Sequence, residues 1–97
     1  MKNKEVYAYL RIVGAIGPTE RSELEEIIDK QLKKQKIGKV SGGGTVINLE
    51  TKMIYCCDID IDLLDVRYID ELICIIKDLN LKEKHSLIYD KKEISFN

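Results

Sequence analysis

The sequence predicts an α+β domain in which two helices cover one face of an antiparallel sheet. Apolar residues alternate with a period of two in Val6–Val13 and in residues 52–62, as they do in strands with one buried face. Two further segments, residues 19–35 and 66–80, carry apolar residues every three or four positions, as amphipathic helices do. Together with weaker strand signals, these segments follow one another in the order β-α-β-β-α-β.

The first half of the chain is predicted to form a strand, a helix and a second strand. The apolar face of the first strand consists of Val6, Ala8, Leu10 and Ile12. A helix over residues 19–35, with Thr19 or Ser22 as its N-cap, is predicted because its apolar residues recur at helical spacing. These helical apolar residues are Leu24, Ile27, Ile28 and Leu32. Residues 37–47 predict a second strand, which the run Gly42-Gly43-Gly44 interrupts.

The second half is predicted to contain a hairpin turn, two strands, a helix and a short final strand. The turn is expected at residues 48–51, and residues 52–62 give the clearest strand signal after the first strand. One face of that strand consists of Met53, Tyr55, Cys57, Ile59 and Ile61, and the helices are expected to cover the last four. A helix capped by Asp62 or Asp65 is expected to end at Asn80, followed by strands at residues 86–89 and 94–96. This order predicts a ferredoxin-like two-layer sandwich with strand order 4-1-3-2 and a short C-terminal strand.

Length and composition favour one cytoplasmic domain over residues 1–97. The chain has 97 residues, 44% of them hydrophobic, which is enough for one core. Its 16 basic and 17 acidic residues remove the basic excess that a general nucleic-acid binder needs. No apolar run reaches the ~20 residues of a membrane span, and Glu5 and Arg11 argue against a signal peptide after residues 1–4. The odd count of cysteines (Cys56, Cys57 and Cys74) favours free thiols in a reducing compartment.

The alternation of the strands also predicts the side chains on the sheet face that helices leave uncovered. The first strand places Tyr7, Tyr9 and Arg11 there. The third strand, its central neighbour, places Cys56, Asp58 and Asp60 there. We therefore expect an uncovered face that is aromatic and acidic, with one arginine. Charge is also polarised along the chain, since residues 30–39 are basic and residues 58–71 are acidic.

Two motifs that resemble catalytic or metal sites do not fit the patterns those sites require. In a calcium loop beginning at Asp58, Leu63 and Ile69 occupy the positions where Gly and Glu are needed. The run Gly42-Gly43-Gly44-Thr45 lacks the lysine of a phosphate-binding loop and predicts a bulge in an edge strand instead. We expect no metal ion and no cofactor, and a small enzyme is the weakest of three functional hypotheses.

The loop between the first strand and the first helix offers a second hypothesis. A glycine-containing loop followed by an amphipathic helix resembles the ligand loop of ACT domains, which sense small molecules. The resemblance implies a homodimer that binds a small anion or amino acid at Gly14, Gly17 and Thr19, where free helix N–H groups attract anions.

The leading hypothesis comes from four stretches that span most of the chain. They are Tyr7-x-Tyr9-Leu10-Arg11, Gly42-Gly43-Gly44-Thr45, Asp58-Ile59-Asp60-Ile61-Asp62 and Ser86-Leu87-Ile88-Tyr89. Together they resemble small bacterial immunity proteins, which neutralise a cognate toxin. The resemblance implies a non-catalytic protein whose partner is a toxin domain, basic in many such systems. We expect partner contacts from the aromatic and arginine residues Tyr7, Tyr9 and Arg11. We expect charge from the carboxylates Asp58, Asp60, Asp62 and Asp65.

Overall fold

The computed structural model describes residues 5–14 and 16–96. Within these residues the chain forms five strands, two α-helices and one 3-10 turn. In chain order they are β1 (Val6–Val13), α1 (Pro18–Gln35), β2 (Gly38–Ile47), β3 (Ile54–Leu63), the 3-10 turn (Val66–Tyr68), α2 (Ile69–Asp78), β4 (Lys84–Tyr89) and β5 (Lys92–Ser95). Residues 1–4, for which a signal peptide was considered, lie outside the described residues. So does Ala15, which belongs to the loop after the first strand.

The strands form one sheet in the order β2-β3-β1-β4-β5, and every neighbouring pair is antiparallel. The class is therefore α+β, as predicted, and β1 and β3 are the central neighbours. The first four strands lie in the predicted order. Because β5 pairs with β4 and extends the sheet at that edge, the described chain departs from the plain four-stranded β-α-β-β-α-β order.

One hydrophobic core lies between the helices and one face of the sheet. From the central strands it takes the alternating residues Ala8, Leu10, Ile12, Cys57, Ile59, Ile61 and Leu63. From the helices it takes Ile28, Leu32, Ile69, Leu72, Ile75 and Ile76. Truncation of a fully buried member such as Ile59 to alanine is expected to cost about 2–5 kcal/mol. None of the described helices is both long enough and apolar enough to cross a membrane.

The helix starts differ from those predicted. Helix α1 begins at Pro18 and its N-cap is Gly17, so Thr19 and Ser22 lie inside the helix and neither caps it. Pro18 suits the first helical position because its fixed φ is already helical and its missing N–H would have no partner there. At the second helix, the Asp65 carboxylate caps the 3-10 turn, and α2 begins only at Ile69.

The β2–β3 hairpin corrects two expectations. Strand β2 runs without interruption from Gly38 to Ile47, and its three consecutive glycines pair in register with residues 58–60 of β3. The register shift that a bulge in an edge strand produces lies just before the glycines, between Val40 and Gly42. At the turn, the Asn48 Oδ1 atom accepts hydrogen bonds from the Glu50 and Thr51 backbone N–H groups. Tyr55 was expected under the helices, but it is 64% exposed. On the face of β3 that carries Tyr55, the next residue, Cys57, is fully buried, so the hairpin extends beyond the helical layer.

The fourth strand begins earlier than the predicted residue 86, and it includes His85. Strand β4 begins at Lys84, so His85 pairs with Ile12 on the face that the helices cover. It is buried, its ring stacks on Phe96 with centroids 5.0 Å apart, and its Nδ1 atom lies 2.8 Å from the Glu83 carbonyl oxygen.

Candidate functional site

The sheet surface that points away from the helices, called the open face here, is the first candidate. Directly opposite residues of an antiparallel pair share a face. The register places Tyr7 opposite Asp62, Tyr9 opposite Asp60 and Arg11 opposite Asp58. Because the intervening residues of β1 are buried in the core, all of these side chains project from the open face. The predicted juxtaposition of phenol rings and carboxylates is therefore present.

Arg11 and Asp58 form a bidentate ion pair on this face. The Arg11 Nε and Nη2 atoms donate to the two Asp58 carboxylate oxygens, each at 3.0 Å. These hydrogen bonds raise the pKa of Arg11 above its usual range. The guanidinium also lies over the Tyr9 ring, 5.3 Å from its centroid, in a cation–π contact. The charge of Asp58 is thus already paired within the protein.

Tyr7 and Asp60 form a second link on the open face. The Tyr7 hydroxyl donates to the Asp60 Oδ1 atom at 2.9 Å. Partial burial of the hydroxyl, this hydrogen bond and the negative charges of Asp60 and Asp58 raise the pKa of Tyr7 to about 12. The hydroxyl therefore stays protonated at neutral pH. The Tyr7 and Tyr9 rings lie 5.9 Å apart at 34°, so they form one continuous aromatic surface.

The open face carries charges of both signs, which corrects the expectation of an acidic face. Its carboxylates, by strand register, are Asp58, Asp60, Asp62 and Glu93. Its cations are Arg11, Lys39 and Lys84, of which Lys39 lies opposite Asp62. Because the two sets nearly balance, long-range attraction of a basic partner to this face is weaker than the sequence predicted.

The other two predicted contact residues, Asp62 and Asp65, lie in different parts of the structure. Asp62 lies on the open face, between Tyr7 on one neighbouring strand and Lys39 on the other. Asp65 lies beyond the end of β3, and its Oδ1 atom accepts a hydrogen bond from the Arg67 backbone N–H at 3.0 Å. Asp65 thus serves as a cap and does not extend the row of β3 carboxylates.

The alternative ligand loop is only partly assembled. Gly14 adopts φ +136°, a conformation that side-chain-bearing residues rarely adopt, and Gly17 is the N-cap of α1. Thr19 is an exposed residue within the helix and not part of the loop. A cavity of about 300 Å³ beside the loop is lined by Glu20, Glu23 and Glu83. These carboxylates disfavour the small anion that the ACT resemblance implies.

The cysteines do not form a reactive site. All three cysteines of the sequence are free, as predicted. Cys56 and Cys57 are buried, and burial raises the pKa of both thiols, which keeps them protonated and poorly nucleophilic. Within residues 5–14 and 16–96, no group of three or more His, Cys, Asp and Glu side chains is arranged to hold a metal ion.

A groove between α1 and α2 was not predicted from the sequence. It has a volume of about 440 Å³, and its lining includes Ile27, Asp70, Glu71 and Cys74. Ile27 was expected in the core, but it is 48% exposed. The apolar spacing of α1 could not reveal the groove, because its position depends on where α2 packs.

Comparisons with known proteins leave function to be inferred from this geometry. No family model, curated protein or solved structure matches this chain. On the open face, Asp58 is engaged by Arg11 and Asp60 by Tyr7. What the face offers is a broad surface of rings and fixed hydrogen-bonding groups, which suits contact with another protein.

Proposed function

We propose that the protein is a non-catalytic binding module with a ferredoxin-like sandwich, and that it acts as an immunity protein that neutralises a cognate toxin. The observation that carries the proposal is the row Tyr7, Tyr9 and Arg11, held by Asp58 and Asp60 on the open face. Tyrosine and arginine are the residue types most enriched where binding energy concentrates in protein interfaces. Here all three lie on β1, the middle strand of the sheet.

The hydrogen bonds within the row reduce the entropy that binding would cost. Tyr7 and Arg11 are each tied to a carboxylate before any partner arrives, so few rotamers have to be frozen on association. The aromatic rings would anchor the toxin domain. Asp60 and Asp62 would pair with its cationic groups, and the bulk of the sandwich would block its substrate cleft. With charges on the open face nearly balanced, affinity would depend more on shape and ring burial than on salt.

The test pairs this protein with the toxin domain encoded by the neighbouring reading frame. We expect co-expression to restore growth of cells that produce the toxin domain, and calorimetry to show a complex. Tyr7→Ala and Tyr9→Ala should each weaken binding by about tenfold or more. Tyr55→Ala is the matched control, because Tyr55 is an exposed tyrosine on the other face of the sheet. This substitution should change affinity less than twofold.

Three results would count against the proposal. A toxin domain that is neither bound nor inhibited would remove the immunity function. Equal losses from Tyr7→Ala and Tyr55→Ala would move the contact away from the open face. A stable homodimer that dissociates on Tyr7→Ala would identify the open face as a self-association surface, and light scattering after size exclusion would detect it.

An ACT-like sensor is the alternative, and the acidic cavity beside Gly14 and Gly17 gives it less support. A thermal-shift screen against an amino-acid panel separates the two hypotheses. We expect no amino acid to raise the melting temperature, whereas a rise with a dimeric protein would favour the sensor.

A further inference from the structure

A second surface lies in the helical layer, on the other side of the sheet from the open face. Two adjoining cavities of about 440 and 300 Å³ share Ile27 and together form what we call the helix groove. Its lining comes from α1, from α2 and from the segments next to β4 and α1. The groove is therefore built independently of the residues that form the open face.

The floor of the helix groove is apolar. Its apolar residues are Ile16, Leu24, Ile27, Ile75, Leu79 and Leu81. Ile27 is 48% exposed although its neighbour Ile28 is fully buried. Leu24, Leu79 and Leu81 are only partly buried. The groove therefore retains apolar area that a partner could remove from water.

The rim of the groove has one sign of charge. Its charged residues are Glu20, Glu23, Asp70, Glu71, Asp78 and Glu83, and in the described residues no lysine or arginine lines either cavity. The ion pairs Arg11–Asp58, Arg21–Glu25 and Lys33–Asp29 involve none of the first five of these residues. Within the described residues, no ion pair neutralises Glu20, Glu23, Asp70, Glu71 or Asp78. This local excess contrasts with a net charge of −1 for the whole chain.

We propose that the helix groove binds a cationic amphipathic helix of a partner protein. The lining of α1 runs from Glu20 to Gln35, which at 1.5 Å per residue corresponds to about 22 Å, or a helix of about 15 residues. Apolar residues at positions i, i+3, i+4 and i+7 of that helix would contact the floor, and its lysines or arginines would pair with the rim. A one-signed negative rim repels nucleic acid and anionic membranes, so a basic protein segment is the matching occupant.

The probe is a 15-residue peptide with leucine at i, i+3, i+4 and i+7 spacing and lysine at the other positions. Titrated into isotope-labelled protein, it should shift amide signals of α1 and α2 and leave those of Tyr7 and Tyr9 unchanged. Two control peptides should bind at least tenfold more weakly: a scramble of the same composition, which loses the apolar stripe, and a version with glutamate in place of lysine. Equal binding of the scramble, or shifts confined to the open face, would overturn the proposal.

Two double charge-reversal variants distinguish binding in the helix groove from attraction to the net charge of the protein. Asp70→Lys with Glu71→Lys should weaken peptide binding at least tenfold. Glu50→Lys with Glu93→Lys makes the same change in net charge outside the groove and should weaken binding less than threefold. Ile27→Ser, a change at an exposed floor position that should leave the fold intact, should weaken binding about fivefold. Equal losses from the two double variants would show attraction to net charge alone.

The inference goes beyond the proposed function and can fail separately from it. Tyr7→Ala should leave peptide affinity unchanged while it weakens the toxin complex. If sedimentation shows a homodimer that disperses on Ile27→Ser, the groove is occupied by a second copy of the chain, and the proposed partner helix is excluded.

Discussion

The guanidinium of Arg11 and the carboxylate of Asp58 meet in two parallel hydrogen bonds of 3.0 Å across the two central strands. The Arg11 side chain is 42% exposed and the Asp58 side chain 22% exposed, so water screens the pair only in part. The pair links β1 to β3 through side chains as well as through the backbone. It also fixes the guanidinium over the Tyr9 ring.

A double-mutant cycle with Arg11→Gln and Asp58→Asn should give a coupling energy of about 0.5–1 kcal/mol from urea denaturation. Bidentate geometry places the value toward the upper end for a partly exposed pair, and 1 M salt should reduce it. Additive effects of the two substitutions would show that the pair contributes nothing to stability.

Tyr7 should titrate at an unusually high pH for a tyrosine. Its pKa is raised to about 12, so the folded protein holds this proton more tightly than the unfolded chain, whose value is near 10.0. The resulting stability is present below pH 10 and is lost as the pH rises from about 10 to about 12. Tyrosinate absorbance should show this late titration, and Asp60→Asn should move it to lower pH. Wild type should also lose stability more steeply than Tyr7→Phe in this interval, and parallel curves would contradict the assignment.

Asp29 of α1 accepts a backbone hydrogen bond from the edge strand β2. One carboxylate oxygen accepts the Val40 backbone N–H at 2.9 Å, and the other pairs with Lys33 at 2.9 Å. Asp29→Ala leaves the Val40 N–H without its partner and should lower the free energy of unfolding by about 1–2 kcal/mol. Glu26→Ala removes an exposed acid of the same helix and should change it by less than about 0.5 kcal/mol. Equal effects in urea denaturation would reduce Asp29 to an ordinary surface residue.

The contacts of Asp29 also make the stability of the protein depend on pH in the acidic range. The hydrogen bond with Lys33, and then that from Val40, hold the pKa of Asp29 below its ordinary value of 3.8. A lowered pKa gives stability that is present above pH 4 or so and is lost as the pH falls through the folded-state value. The stability difference between wild type and Asp29→Asn should therefore shrink below about pH 4. A difference that stays constant from pH 6 to pH 2 would contradict this linkage.

Neighbouring glycines of β2 should respond oppositely to alanine. A Cβ atom on Gly43 would lie 2.5 Å from a Glu25 carboxylate oxygen and 2.7 Å from the Asp58 carbonyl oxygen. The Glu25 side chain can rotate away, but the backbone of β2 or β3 would have to shift. Gly43→Ala should cost about 1–3 kcal/mol. At Gly44 nothing lies within 4 Å of such an atom, and Gly44→Ala should be neutral or stabilise the protein by up to about 1 kcal/mol. Thermal unfolding of the two variants makes the comparison, and equal melting temperatures would refute it.

The face of the sheet on which each side chain lies is the part of the candidate site that the sequence predicts well. Which residues of β1 and β3 share a face depends only on the period of two, so Tyr7, Tyr9, Asp58 and Asp60 were placed correctly. The partners of those side chains depend on strand register, which sequence periodicity does not supply. This is why the pairing of Arg11 with Asp58, and with it the loss of a strongly acidic face, emerged only from the structure.

The remaining differences come from how far one layer covers the other. Tyr55 lies on the same face of β3 as the core residues, but at a position where β3 extends beyond the helices. Ile27 has the spacing of a core residue, but it is half-exposed at the groove between α1 and α2. Both outcomes depend on the relative placement of whole elements, which is decided by tertiary packing. His85 shows the reverse case, since the earlier start of β4 carries it into the interior.

The locations of the three cysteines allow selective labelling of the native protein at Cys74. Cys74 is exposed and lines the helix groove, whereas Cys56 and Cys57 are shielded within the fold. A maleimide fluorophore added to the native chain should therefore attach once, beside the groove, without any engineered cysteine. Its emission would register the arrival of a ligand between the helices, and protection of Cys74 from alkylation would give the same information by mass spectrometry.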